Sequence, residues 1–210
     1  MALKDIDLKY QGGVLTTSRS LAVGGLTVAG TPLAQPNVQL PSDHGAIAWT
    51  SDPAITTGTS ASVNGSIYLA RMPIRTAATI SKVWWDQTTG PATPTAGQNF
   101  AGIYSTAGTL LSSVSIDAKT GNGVQSATLD VAQAVSPGYV WMALMFNAAT
   151  APVLMRGGGQ TAAANIFNQT AATYRWAVNG TTTGLTALPA SITPSSNSQT
   201  GVIAFWAALS

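Results

Sequence analysis

The sequence predicts an all-β protein: an antiparallel β-sandwich, jelly-roll-like, preceded by an extended N-terminal arm that carries a short β repeat. Three observations predict it. Charged residues make up only 8% of the 210-residue chain, against about 25% in an average globular domain. All seven acidic residues are Asp, and the lysines are Lys4, Lys9, Lys82 and Lys119 alone. Helix surfaces draw on Glu, Lys, Arg and Gln, whereas Thr, Ser, Ala, Gly and Asn dominate here, as on hydroxyl-rich strand surfaces. The second observation is spacing: from Asp43 onward, short apolar or alternating runs recur at roughly ten-residue intervals between turn residues. The third is the stretch after the Pro137-Gly138 turn, where Tyr139 to Phe146 is unbroken apolar sequence. On a strand, Tyr139, Trp141, Ala143 and Met145 share one face, and Val140, Met142, Leu144 and Phe146 the other. Both faces need cover, which describes a central strand of a packed sheet or a strand between a core and a subunit interface.

Residues 1–41 read as an arm and a Pro-rich linker, and 42–210 as the sandwich domain. The length suits one such domain plus an arm. Ala2 to Tyr10 mixes Leu3, Ile6 and Leu8 with Lys4, Asp5, Asp7 and Lys9. Leu21-Ala22-Val23-Gly24-Gly25 is followed at once by Leu26-Thr27-Val28-Ala29-Gly30, a tandem Leu-x-Val-x-Gly repeat. In each unit Leu and Val share a face, and Gly permits a tight corner. One unit cannot bury that face, so Leu21, Val23, Leu26 and Val28 are candidate oligomer or docking contacts; a plain hairpin with a Gly-Gly turn is the equal alternative. Thr31 to Pro41 reads as extended linker, since Pro blocks helix and interior strand.

Strands are expected over 45–50, 66–72, 79–86, 98–104, 109–116, 124–131, 139–146, 152–155, 173–178 and 201–208. A Pro/Gly-rich loop is expected over 88–97, a hairpin turn at 105–108, and a flexible loop at Gly157-Gly158-Gly159. That glycine run lacks the Gly-Lys-Ser/Thr ending and following helix of a phosphate loop.

Several function classes lose support from composition. The net charge is +2 with a pI near 9.1, and no Lys/Arg cluster or basic stripe favours nucleic acid. Cysteine is absent and His44 is the single histidine, so neither a thiolate or multi-His metal site nor a histidine triad can be written, and no metal or cofactor is expected. Asp52, Asp86, Asp117 and Asp130 are scattered singly, whereas a glycosidase needs two carboxylates about one bond; a non-enzyme is expected, a hydrolase with dispersed Asp residues remaining a remote option. The first residues lack a signal-peptide pattern and the apolar runs are too short to span a bilayer, so a chain made in the cytoplasm without a membrane segment is expected.

Two aromatic–polar clusters are candidate binding surfaces. Trp84 and Trp85 are strand neighbours, so one enters the core and the other points outward. An outward Trp beside Asp86 and Gln87 could stack on a sugar ring or pack against another subunit, and the enrichment of Trp at interfaces favours the latter. Tyr174, Arg175 and Trp176 carry the same ambiguity.

Ser42-Asp43-His44-Gly45-Ala46-Ile47-Ala48-Trp49-Thr50, Ile67-Tyr68-Leu69-Ala70-Arg71-Met72-Pro73-Ile74-Arg75, Phe100-Ala101-Gly102-Ile103-Tyr104 and Phe205-Trp206-Ala207-Ala208-Leu209-Ser210 resemble small structural proteins of tailed phages that infect actinobacteria. The Leu-x-Val-x-Gly repeat is similar to fibre-shaft repeats of phage appendages. The resemblance covers roughly residues 42–210, rests on strand patterns, and transfers no active-site residue. It implies a homotrimeric, non-enzymatic virion protein: a capsid decoration or fibre, or a minor tail protein. Such a protein would be docked by its arm to other virion proteins, with host cell-surface glycans as a candidate further partner. The alternative is a carbohydrate-binding module that adheres to cell-wall glycans.

Overall fold

The structure, a computed structural model, describes residues 39–157, 169–180 and 183–210, together with the backbone of four short segments nearer the N-terminus. The chain divides into two compact units, Met1–Val38 and Gln39–Ser210.

In the first unit, Lys9–Gln11 pairs antiparallel with Val14–Thr16, and Thr27–Val28 pairs with Thr31–Pro32, Val28 lying opposite Thr31. Thr31 and Pro32 thus belong to a ladder where linker was expected. Of the repeat's contact candidates, Val28 lies in that ladder, whereas Leu21, Val23 and Leu26 lie outside the described residues.

The second unit is the expected antiparallel β-sandwich. Its strands are β1 (Ala48–Trp49), β2 (Thr56–Ala61), β3 (Tyr68–Ile74), β4 (Ala78–Thr89), β5 (Ala92–Pro94), β6 (Phe100–Tyr104), β7 (Leu110–Ser115), β8 (Gly123–Val135), β9 (Gly138–Met145), β10 (Ala148–Thr150), β11 (Val153–Gly157), β12 (Trp176–Asn179), β13 (Asn197–Ser198) and β14 (Ala207–Leu209). One sheet runs β7-β6-β9-β3-β12-β13. The other runs β1-β14-β4-β11-β2, with β8 paired along β4. β5 and β10 form a separate two-stranded ladder.

β9 is the central strand the sequence points to, paired on one side with β6 and on the other with β3. Val140, Met142, Leu144 and Phe146 enter the main core between the sheets, beside Trp85, Ile103, Phe205 and Leu209. Trp141, Ala143 and Met145 point the other way into a second buried cluster with Ile67, Leu69, Tyr104, Leu188 and Ile192. The cover on that second face comes from the chain itself. Residues 185–192 fold back over the sheet: Leu185 N–H donates to Gly65 C=O (3.1 Å), Leu110 N–H to Ala190 C=O (2.9 Å), and Ile192 N–H to Gly108 C=O (2.8 Å). The Tyr104 hydroxyl donates to Pro189 C=O (2.9 Å). Of the two readings of this strand, the packed-sheet one therefore holds, and the apolar run by itself gives no reason for a subunit interface.

Some elements differ from expectation. β2, a Thr/Ser edge strand with alternating half-buried and exposed residues, was not expected, because the alternation carries no large apolar side chain. The loop expected over 88–97 contains β5, which Thr150 and Ala148 extract from it by pairing with Ala92 and Pro94. The strand expected from 173 starts at Trp176, after a 3₁₀ turn over Ala171–Thr173. The strand expected from 201 is confined to Ala207–Leu209, preceded by an isolated bridge of Phe205 to Arg156. The glycine run at Gly158 and Gly159 lies outside the described residues.

Candidate functional site

Alternation along the last strand builds the site. Phe205, Ala207 and Leu209 face the core; Trp206, Ala208 and Ser210 face outward. Ala208 stands in register between Trp49 on β1 and Trp84 on β4. Two indoles therefore flank a side chain too small to fill the space between them. Trp206, on the same face two residues along, is 8% exposed and lies behind them. The result is an open cleft of about 260 Å³.

The remaining walls come from turns and from β8. A 3₁₀ turn over Pro41–His44 ends on Gly45 at φ 69°, where a side chain would be strained. The Asp43 carboxylate fixes this turn by accepting from Leu40 N–H (2.8 Å). His44 is thereby set at the rim, its ring 5.3 Å from the Trp49 ring at an interplanar angle of 50°. Pro53, from a second turn capped by Asp52 (2.8 Å from Ala54 N–H), and Val124 of β8 complete the lining. Two of the indoles are locked by their own hydrogen bonds. Trp84 Nε1 donates to Ser210 Oγ (2.8 Å), and Trp206 Nε1 donates to Ser51 C=O (3.0 Å). No Asp, Glu, Lys or Arg side chain lines the cleft.

The candidates from sequence divide sharply. Trp84 points outward into the cleft and Trp85 into the core, as alternation requires; Trp85 is fully buried and donates its Nε1 to Gln87 Oε1 (3.0 Å). Gln87 is buried with it and spends its amide on Lys119 C=O (2.9 Å) and Gly121 C=O (2.6 Å). Asp86 is half-buried beside the cleft without lining it, and burial raises its carboxyl pKa. The idea of Gln87 and Asp86 serving sugar hydroxyls beside an outward Trp is corrected accordingly: period-two alternation turns Gln87 inward.

The second cluster is not a platform either. Trp176 is a core residue at 4% exposure and donates Nε1 to Phe205 C=O (3.1 Å). Tyr174 packs half-buried against the second apolar cluster. Arg175 lays its guanidinium over the Trp176 ring at 4.3 Å and donates to Thr50 C=O. Removal from water, and then the like charge of Arg71, lower its pKa. These contacts tie β12 to the opposite sheet.

Sequence reasoning missed Trp49, Trp206 and His44 as site residues. Trp49 and Trp206 lie in strands already expected, but only the register through Ala208 places them beside Trp84. His44 was assigned to a polar turn, which it is; its packing on Trp49 depends on that turn's position against β1.

Among the described residues no group of three or more His, Cys, Asp or Glu is arranged to hold a metal ion. Nor is any helix there long and apolar enough to cross a membrane. Compared with protein-family models, with curated proteins and with solved structures, the chain finds no match in any of the three. Fold and cleft alone define its class: an antiparallel β-sandwich presenting an aromatic cleft on the outer face of one sheet.

Proposed function

We propose that the chain is a non-enzymatic structural protein of a bacteriophage particle, an exposed appendage of capsid or tail anchored by its N-terminal arm. The observation that carries this reading is the division into a short N-terminal unit of two-residue and three-residue ladders and a separate sandwich from Gln39 onward. Two-stranded ladders of that length are marginally stable at best alone in water, which suits a docking segment that gains its partners on a particle. The sandwich, in contrast, closes its own core and roofs its own second face, as a projecting module must. The hydroxyl-rich, charge-poor composition and the resemblance of its strand patterns to phage structural proteins support the same assignment. Assembly as a homo-oligomer, a trimer by that resemblance, rests on the Leu-x-Val-x-Gly repeat and not on β9.

Fractionation of purified particles tests the proposal. The chain co-purifies with intact particles if it holds; recovery only in the particle-free lysate overturns it. Copy number separates the seats, hundreds of copies marking a capsid decoration and few marking a tail protein.

A second reading, a module that adheres to cell-wall glycans, is favoured by the tryptophan cleft. It is compatible with the first, since an exposed appendage is where host contact would be made.

A further inference from the structure

We infer that the cleft between Trp49 and Trp84 is a binding subsite for one neutral pyranose ring of a glycan, a ring stacked on indole above Ala208 with its hydroxyls turned to His44 and Ser210. This rests on the glycan-adhesion reading and deepens it by assigning the site and the ligand's chemistry.

Four features of the cleft select this occupant. The first is shape. Trp49, Ala208 and Trp84 are register neighbours on three adjacent strands, so two large flat side chains flank a gap one methyl deep. A pyranose presents a face of C–H groups to such surfaces and hydroxyls around its edge, and indoles are suited to ligands that are apolar on one side and wet on the other.

The second is preorganisation. Trp84 is held by Ser210 Oγ (2.8 Å), Trp206 by Ser51 C=O (3.0 Å), and Trp49 by the His44 ring at 5.3 Å. Side chains already ordered lose little rotamer freedom on binding. Binding groups also remain. Ser210 Oγ accepts from Trp84, leaving its hydroxyl proton for a ligand, and the exposed His44 ring uses one nitrogen, Nε2, on Gln39 Oε1 (3.2 Å).

The third is charge. With no Asp, Glu, Lys or Arg in the lining, the cleft offers no permanently charged side chain to balance a phosphate or carboxylate, and an unpaired charge placed against three indoles is disfavoured. The ring is therefore a neutral one.

The fourth is size. A volume of about 260 Å³ falls just under the roughly 300–1,000 Å³ of pockets for drug-sized ligands, which is room for one ring with its neighbours left in solvent. Ten residues line the cleft, against about 20–30 a side in a standard protein interface. A second copy of this chain would need a far larger apolar surface.

The test uses the full chain, with tryptophan fluorescence and calorimetry as readouts. The probes are neutral oligosaccharides of glucose, galactose, mannose and N-acetylglucosamine, with oligogalacturonate as the acidic comparison. Saturable binding of at least one neutral oligosaccharide is expected, with oligogalacturonate weaker. His44→Ala, at an exposed position, and Trp49→Ala are each expected to weaken that binding about tenfold, the loss of one stacking or edge contact. Trp84→Phe keeps a ring and should weaken it less. Circular dichroism on each variant separates loss of fold from loss of site; if Trp49→Ala unfolds, His44→Ala decides.

Saturable glycan binding that both variants leave unchanged overturns the site and leaves the adhesion reading standing. No saturable change with any oligosaccharide overturns both. Saturable binding of a proline-rich peptide with the sequence of residues 31–41, weakened by His44→Ala and Trp49→Ala while no oligosaccharide binds, assigns the cleft to a protein segment and also overturns the proposal.

Discussion

Gly65 is the residue at which the roof over the second apolar face is most exposed to a single-atom change. It sits at φ 66°, and a Cβ built there would lie 2.3 Å from Gly184 N, 2.4 Å from Gly184 Cα and 2.5 Å from Leu185 N. All three are backbone atoms, so no side-chain rotation relieves the clash. The chain at 184–185 must move outward by about 1 Å or more to reach ordinary van der Waals separation. That motion breaks the Leu185 N–H to Gly65 C=O bond (3.1 Å) and lifts Leu185 and Leu188 from the second apolar cluster. Gly65→Ala therefore combines about 1 kcal/mol for the left-handed backbone, about 1 kcal/mol for the hydrogen bond and about 2 kcal/mol for partial exposure of buried leucine. The sum, about 4 kcal/mol, is a large share of the roughly 5–15 kcal/mol that holds a domain folded. Gly45 supplies the control. Its φ is 69°, nearly the same, but an added Cβ meets nothing within 4 Å, so Gly45→Ala should cost only the backbone part, about 1 kcal/mol. Urea unfolding followed by tryptophan fluorescence measures both. Equal losses in the two variants would refute the steric reasoning, and with it the claim that 184–192 is fastened to the sheet through this glycine.

Three further outcomes follow from the same structure. Gln87→Ala leaves the Trp85 N–H and the Lys119 and Gly121 carbonyls without their shared partner in a fully buried place, at about 3–5 kcal/mol by urea unfolding; a loss under 1 kcal/mol would contradict this. Burial pushes the Tyr104 and Tyr68 hydroxyls above their ordinary pKa. Their contribution is thus complete below about pH 10 and is lost as pH rises through the folded values. Thermal melts from about pH 9 to 12 should fall in wild type and fall less in Tyr104→Phe, which gives up its bond to Pro189 (2.9 Å) at about 1 kcal/mol near neutrality. Val28→Asp, in the arm, should weaken oligomer or particle attachment by sedimentation while the sandwich stays folded, because an unpaired buried charge costs several kcal/mol; a monomeric wild type whose particle binding survives the change would remove the arm from that role.

The parts of the fold legible in the sequence were those with a large apolar side chain every second residue. β9 declared both of its faces through Tyr139–Phe146, and Trp84 and Trp85 declared that one would point each way. The Phe100–Tyr104 and Leu110–Ser115 hairpin was fixed by the short turn between them. β2 was illegible because Thr56–Ala61 offers only small residues and no large apolar one, and β5 because its pairing with β10 joins positions far apart in sequence. The roof over β9 was hidden for a similar reason: Leu185, Leu188 and Ile192 are isolated apolar residues among Thr, Ala and Pro, with no period to mark them. The cleft was half legible. Sequence required one of Trp84 and Trp85 to point outward without saying which; the structure makes it Trp84, and its partners Trp49 and Trp206 meet it only through the register set at Ala208. The second cluster misled because Tyr174-Arg175-Trp176 resembles a surface aromatic patch, whereas Trp176 alternates with Arg175 and enters the core.

The proposal of an exposed particle appendage meets its most direct test in antibody labelling of intact particles. An antibody raised against the sandwich, residues 39–210, is applied to purified, undisrupted phage and viewed by electron microscopy. Label at regular positions on undisrupted capsids or tails is the predicted result. Particles that carry no label intact and none after mild disruption, from the same lysate in which the antibody detects the chain, would contradict it.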